Sequence, residues 1–123
     1  MKNPNDNYFI TRIKSVKYAV KGAYLLLRTE ASIQVQFSIA LIMTVVGFIF
    51  KISATEWMLQ LLAIGMILVA ESLNTAIEKL SDFIHPDYNK KIGFIKDISA
   101  GASTFAAIIA VIIGMIIYLP KIF

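Results

Sequence analysis

Residues 57–84, WMLQLLAIGMILVAESLNTAIEKLSDFI, decide how this chain is read. The stretch begins almost wholly apolar and turns acidic from Glu71 onward without losing helical spacing. Its length exceeds the roughly 20 residues that a helix needs to cross about 30 Å of hydrocarbon. Two other stretches are as apolar, residues 33–50 (IQVQFSIALIMTVVGFIF) and about 94–119. Backbone polar groups in lipid must be satisfied within their own segment, so all three are predicted to be helices. With 58% hydrophobic and 16% charged residues, the 123-residue chain carries more apolar surface than a small soluble core can hide. The predicted fold class is all-α integral membrane, with three transmembrane helices.

Outward from that core, residues 51–56 are too few for anything but a turn between antiparallel neighbours. His85-Pro86-Asp87-Tyr88-Asn89 ends the second span, since proline disfavours helical geometry at the residue before it. Ahead of the first span, Phe9, Ile13, Val16, Val20, Tyr24 and Leu27 recur at helical spacing, with Lys14, Lys17, Lys21 and Arg28 on another face. This predicts an amphipathic interfacial helix over about residues 8–28. Its apolar side lies among the headgroups, and its basic side meets anionic lipid or a nucleotide, or simply anchors the helix in water. No Ser/Gly-rich or Pro-rich stretch divides residues 1–123, which read as one domain. The chain has no cysteine, which rules out disulfides and thiolate metal sites, and its start lacks the pattern of a removable signal peptide.

Of the 12 Lys and Arg residues, all but Lys51 and Lys121 lie in the N-terminal region or near the connection between the second and third spans. The positive-inside bias then predicts a cytoplasmic N-terminus and an external C-terminus. The formal net charge of +4 is read as this topology signal, and nucleic-acid binding is not expected.

At 100° per residue, Glu71, Asn74, Glu78 and Asp82 fall within an arc of about 80° on one face of the second span. Counted from Trp57, Glu71 lies roughly 20 Å into the membrane and Glu78 close to the cytoplasmic boundary. An ionised group at the centre of a span costs about 2.5–3.5 kcal/mol on insertion scales, so acids sharing one face must be paired, neutralised or hydrated. Lys96 and Asp97 supply charge at the start of the third span, just before Ser99-Ala100-Gly101-Ala102-Ser103. Ser103, Ala107, Ala110 and Gly114 form a small-residue stripe that permits close helix approach and brings Lys96 towards the acids. Glu30, between the interfacial helix and the first span, sits at the level of Glu78. Two carboxylates at that depth suit Mg²⁺, with phosphate oxygens completing its shell. The structural alternative is an interhelical salt-bridge network joining Lys96 to Glu78 or Asp82. His85 reads as a loop residue, and Trp57, Tyr118 and the methionines as anchors or packing. No phosphate-binding loop, dinucleotide fingerprint, metal motif or nucleophile elbow occurs. The residues by themselves give a membrane protein with a cytoplasm-facing acidic site. A small transporter and a structural membrane subunit remain alternatives to an enzyme at this point.

ESLNTAIEKLSD (71–82), followed after thirteen residues by KDISAGA (96–102), resembles the ExxNxAIExxxD and KDxxAGA motifs of the small prokaryotic diacylglycerol and undecaprenol kinases. The resemblance extends to TRIKSVKYAVKG (11–22) and to the acid of RTEAS (28–32), and so covers nearly the whole chain. It implies a homotrimer whose active sites are shared between protomers, transferring the γ-phosphoryl of Mg-ATP to a lipid hydroxyl in the bacterial cytoplasmic membrane. Position by position, it implies that Glu71 is the general base and that Glu30 and Glu78 hold the metal. Asn74, Lys96 and Asp97 then surround the nucleotide, Lys14 and Tyr18 approach it from the interfacial helix, and Asp87, Tyr88 and Asn89 form an adenosine-side loop. Glu71, Gln34 and Ala100 fall where the lipid is met. Two departures stand out. Gln34 and Gln36 occupy the region where the family often has an arginine or histidine, and Thr11 takes the position of an expected basic residue, with Arg12 beside it. Ala100-Gly101-Ala102 resembles the undecaprenol-kinase branch.

Overall fold

The computed structural model describes residues 3–123, which form four helices: α1 (Tyr8–Thr29), α2 (Ala31–Ile49), α3 (Ala54–Ile84) and α4 (Lys90–Ile122). No strand occurs among the described residues. Helices α2, α3 and α4 are each long and apolar enough to cross a membrane, and α1 precedes them. The protein is therefore an all-helical integral membrane protein with three candidate spans.

The spans begin a few residues earlier than their apolar runs, because polar caps start a helix before lipid does. Ser53 opens α3 with a capping box: its hydroxyl accepts from Glu56 N at 3.1 Å, and the Glu56 carboxylate accepts from Ser53 N at 2.9 Å. Asn89 opens α4 by accepting from the backbone of Lys91 and Ile92. At 1.5 Å per residue, α2 is about 28 Å long, α3 about 46 Å and α4 about 50 Å. Only α2 matches one crossing of about 30 Å of hydrocarbon. The other two are longer than one crossing needs.

The main packing is α3 against α4, with α2 leaning on α3 and α1 on α2. The α2–α3 turn ends α2 with a Schellman arrangement, Ile52 N donating to Gly47 O and Lys51 N to Phe48 O, both at 3.2 Å. Lys51 takes the left-handed conformation (φ 51°) that such a turn requires. Beneath it, Ile52, Ile117 and Tyr118 are buried together, with Met43, Val46, Trp57 and Ile113 packed around them. This cluster fixes the end of the bundle remote from the acids.

At the other end, α1 and α2 meet in a single extended residue, Glu30 (φ −104°, ψ 113°). The joint is braced by Gln34, whose side-chain amide donates to the carbonyls of Leu27 at 3.1 Å and Arg28 at 3.0 Å. Those carbonyls belong to the last turn of α1, where no intrahelical donor remains for them.

Candidate functional site

The polar face of α3 carries Glu71 and Asn74 half-buried and Glu78 and Asp82 exposed, a gradient of rising exposure along one stripe. Asn74 Nδ2 approaches Glu78 Oε1 at 3.4 Å, which leaves Asn74 Oδ1 buried without a partner. A buried acceptor that nothing satisfies is costly. The carboxylate of Glu71 makes no hydrogen bond or ion pair to any described residue, whereas its neighbours on the stripe are engaged.

Helix α4 brings its charge to this face through Lys96, whose ammonium lies 2.7 Å from Asp82 Oδ1. The interhelical pair that the structural alternative expects is thus present, but it takes up only Asp82. Glu71 and Glu78 stay outside it. Asp97 and Ala100, on the same part of α4, are exposed.

Glu30 turns towards α3. Its Oε1 lies 3.0 Å from the ammonium of Lys79 and accepts weakly from Thr29 Oγ1 at 3.4 Å. Although it occupies the N-cap position of α2, its side chain makes no capping hydrogen bond. Glu30 and Glu78 therefore each have a different partner, Lys79 for one and Asn74 for the other. Among the described residues, no three His, Cys, Asp or Glu side chains gather in a metal shell. Hard carboxylate oxygens are the ligands Mg²⁺ takes, with water and phosphate as its usual remaining ones, but at Glu30 the ion would have to compete with the Lys79 ammonium.

On α1, Lys14 is held by Asp6 at 2.6 Å, and that hydrogen bond raises the ammonium above its ordinary value. Arg12 stacks over the Tyr8 ring at 4.9 Å, Tyr18 is exposed, and Thr11 Oγ1 donates back to Asn7 O. The contacts of Arg12 and Lys14 are thus local to α1 and its leader. In the α3–α4 loop, Asn89 is spent as a cap, Tyr88 is almost fully exposed, and the Asp87 carbonyl lies 2.8 Å from His85 Nδ1. His85 is the C-cap of α3, in keeping with a loop role.

Two residues outside the sequence-derived set prove to touch it. Lys79 lies 100° round α3 from Glu78, off the acidic arc, so helical periodicity does not select it. Its level on α3, one residue past Glu78 and opposite the Glu30 joint, is the signal that points to it. Asp6 precedes the amphipathic pattern. Its spacing of eight from Lys14, about two helical turns plus a cap, is too loose to single out.

A family model described as prokaryotic diacylglycerol kinase matches residues 17–118. The chain is 38% identical over 108 residues to the undecaprenol kinase of Bacillus subtilis (strain 168), covering 88% of each chain. It is 29% identical over 108 residues to the diacylglycerol kinase of Escherichia coli (strain K12), again covering 88% of each. The diacylglycerol kinase of Shigella flexneri matches to the same extent.

Proposed function

The chain belongs to the prokaryotic diacylglycerol kinase family and is a lipid kinase with ATP as co-substrate, and from that premise we propose that it moves the γ-phosphoryl of Mg-ATP to a membrane polyprenol. Undecaprenol is the favoured acceptor because the undecaprenol kinase is the more similar relative, at 38% against 29%. Diacylglycerol is the second reading, carried by the other relatives. The acceptor in either case is a primary alcohol on a long apolar body, so the chemistry required of the site is the same. The transporter and structural-subunit alternatives have no observation of their own to set against family membership.

The observation that carries the mechanism is the unengaged carboxylate of Glu71, half-buried where α3 passes from lipid towards water. A lipid hydroxyl arriving from the bilayer meets this group before it meets the charged residues above. Glu71 accepts the hydroxyl proton while the lipid oxygen bonds to the γ-phosphorus. The bond from that phosphorus to the β–γ bridging oxygen breaks, and ADP departs with the electron pair. Positioning and charge neutralisation dominate such a transfer, so a phosphate-binding loop is not required. Lys96, oriented by Asp82, offers its ammonium to the phosphate oxygens, and Asn74, Asp97 and the α3–α4 loop residues Asp87, Tyr88 and Asn89 line the nucleotide side. Glu30 and Glu78 are the residues that would hold Mg²⁺, which supplies charge neutralisation on the phosphates. Arg12, Lys14 and Tyr18 approach the nucleotide from α1, with Lys14 exchanging Asp6 for phosphate. Gln34 and Ala100 flank the lipid.

This reading places the N-terminus in the cytoplasm of a bacterium, with residues 1–123 acting as one domain in the cytoplasmic membrane. It also takes the working unit to be a homotrimer. The small residues Gly65, Ala70, Ser99 and Ala102 along the α3–α4 groove fit a neighbouring protomer there.

Glu71→Gln tests the base assignment. It should keep assembly and nucleotide binding while losing about 10²- to 10⁴-fold in turnover, as expected for removal of a general base. Normal phosphorylation by that variant would refute the role. Labelled ATP supplied with undecaprenol or with diacylglycerol, in separate reactions, identifies the acceptor by which lipid gains the phosphate.

A further inference from the structure

We propose that Lys79 is an internal counter-cation of Glu30 that a divalent metal must displace, so that this lysine sets how much metal the enzyme requires. The inference rests on the reading of Glu30 as a metal-holding acid and adds a residue that the reading does not contain. Its starting point is the 3.0 Å contact between Lys79 Nζ and Glu30 Oε1, across the gap between the α1–α2 joint and α3.

The two partners differ in freedom. The Glu30 side chain is 21% exposed and sits on a backbone position fixed by hydrogen bonds on both sides, Glu30 N to Leu26 O and Gln34 N to Glu30 O. The Lys79 side chain is 66% exposed and leaves from the outer surface of a helix. Of the two, the lysine can move away at little cost, because its ammonium regains water. The acid stays in place.

The carboxylate is also not committed elsewhere. As the N-cap residue of α2 it is next to unsatisfied backbone donors, yet it makes no cap bond and faces Lys79. No described residue donates to its Oε2. An acid held half-buried needs a compensating positive charge, and Lys79 provides one in the absence of a metal. Mg²⁺ would bring two positive charges to a carboxylate that already neutralises Lys79, so the ammonium 3.0 Å from Oε1 opposes it by repulsion even at the open Oε2. Lys79 then has to leave, and its departure clears the step between Glu30 and Glu78, the residue preceding it in α3.

The test is metal binding by the purified full-length protein in lipid nanodiscs, with Mn²⁺ as the probe followed by its electron paramagnetic resonance signal, in the presence of a non-hydrolysable ATP analogue. Losing an exposed competing ion pair should tighten Mn²⁺ binding by about three- to five-fold in Lys79→Gln, and in Lys79→Ser as a second neutral variant. Lys79→Arg, which keeps the cation, should stay within about two-fold of the parent by the same reasoning. Lys90→Gln removes a lysine of the same charged end that has no ion pair among the described residues, and it should leave binding unchanged. If Lys79→Gln and Lys79→Ser bind Mn²⁺ no better than the parent while Glu30→Gln has lost tight binding, the displacement idea is wrong and the metal assignment stands. If Lys90→Gln tightens binding as much as Lys79→Gln, the effect is one of overall charge and the idea is again wrong. If Glu30→Gln binds as the parent does, the metal assignment itself fails and takes the inference with it.

Discussion

Asp82 Oδ1 and Lys96 Nζ lie 2.7 Å apart across fourteen residues of chain, tying the polar end of α3 to the start of α4. Both side chains are substantially exposed, so the pair contributes little to holding the helices together. Its consequence is orientation: a flexible ammonium is kept on the acidic face. Asp82→Asn is therefore expected to leave the thermal midpoint unchanged but to raise the KM for ATP several-fold. Lys96→Met removes the charge itself and is expected to cost about 10²-fold or more in kcat, the scale of losing a preorganised charge at a reacting phosphate. Steady-state ATP titrations of the two variants separate positioning from direct contact. Equal losses in kcat would assign Asp82 a role of its own.

Gln34 supplies the next test. Its amide closes the last carbonyls of α1 at Leu27 and Arg28 and so joins α1 to α2 beside Glu30. Gln34→Ala leaves both carbonyls to water, at about 1 kcal/mol for each lost hydrogen bond. Hydrogen exchange at the α1–α2 joint should speed up while exchange in α3 and α4 does not. If Gln34 acts only on lipid, exchange at the joint will be unaltered and only the lipid KM will rise.

How far these relationships were legible in advance depended on periodicity. The three spans and the amphipathic α1 follow from hydropathy alone, because lipid forces helix and leaves few alternatives. The acidic stripe of Glu71, Asn74, Glu78 and Asp82 also follows, since residues on one helix share a fixed angular relation. Helix starts were less visible: the apolar pattern begins near Trp57 and Phe94, but caps at Ser53 and Asn89 start the helices sooner. The pairings across helices were hidden altogether. Nothing in the spacing distinguishes Asp82 from Glu78 as the partner of Lys96, or shows that Glu30 faces Lys79. These contacts depend on how far one helix slides along another, and a single sequence does not encode that offset in its period.

The turn remote from the site offers a packing test. A Cβ on Gly47 would lie 2.7 and 2.9 Å from the far edge of the Trp57 ring and 3.2 Å from Ile52 Cδ1. Gly47→Ala therefore forces the indole to shift, which overpacking data put at about 1–3 kcal/mol. Shortening the ring should relieve much of that, so Gly47→Ala with Trp57→Phe is expected to be less destabilised than the sum of the single changes. Denaturant titrations in detergent micelles give the coupling directly, and strictly additive losses would mean that the ring is not what glycine accommodates.

Gln60 and Tyr118 complete the remote end. The Gln60 side chain is buried, its Nε2 donating to Met43 O at 2.9 Å and its Oε1 accepting from the Tyr118 hydroxyl. One amide thus joins α2, α3 and α4, at the end that also carries the Glu56–Lys121 ion pair. Buried interhelical hydrogen bonds in membranes average only about 0.6 kcal/mol, with a maximum near 1.7, because the separated helices also find partners. Tyr118→Phe leaves Gln60 Oε1 unpaired but preserves the ring that packs edge-on to Phe50 at 5.6 Å. The loss of stability should accordingly fall at about 0.6–1.7 kcal/mol. Catalysis should be unaffected, since Gln60 lies about 16 Å along α3 from Glu71 and about 27 Å from Glu78. Lipid phosphorylation measured well below the melting temperature checks this. A fall in kcat without a fall in stability would show that the remote polar knot is coupled to the reacting end.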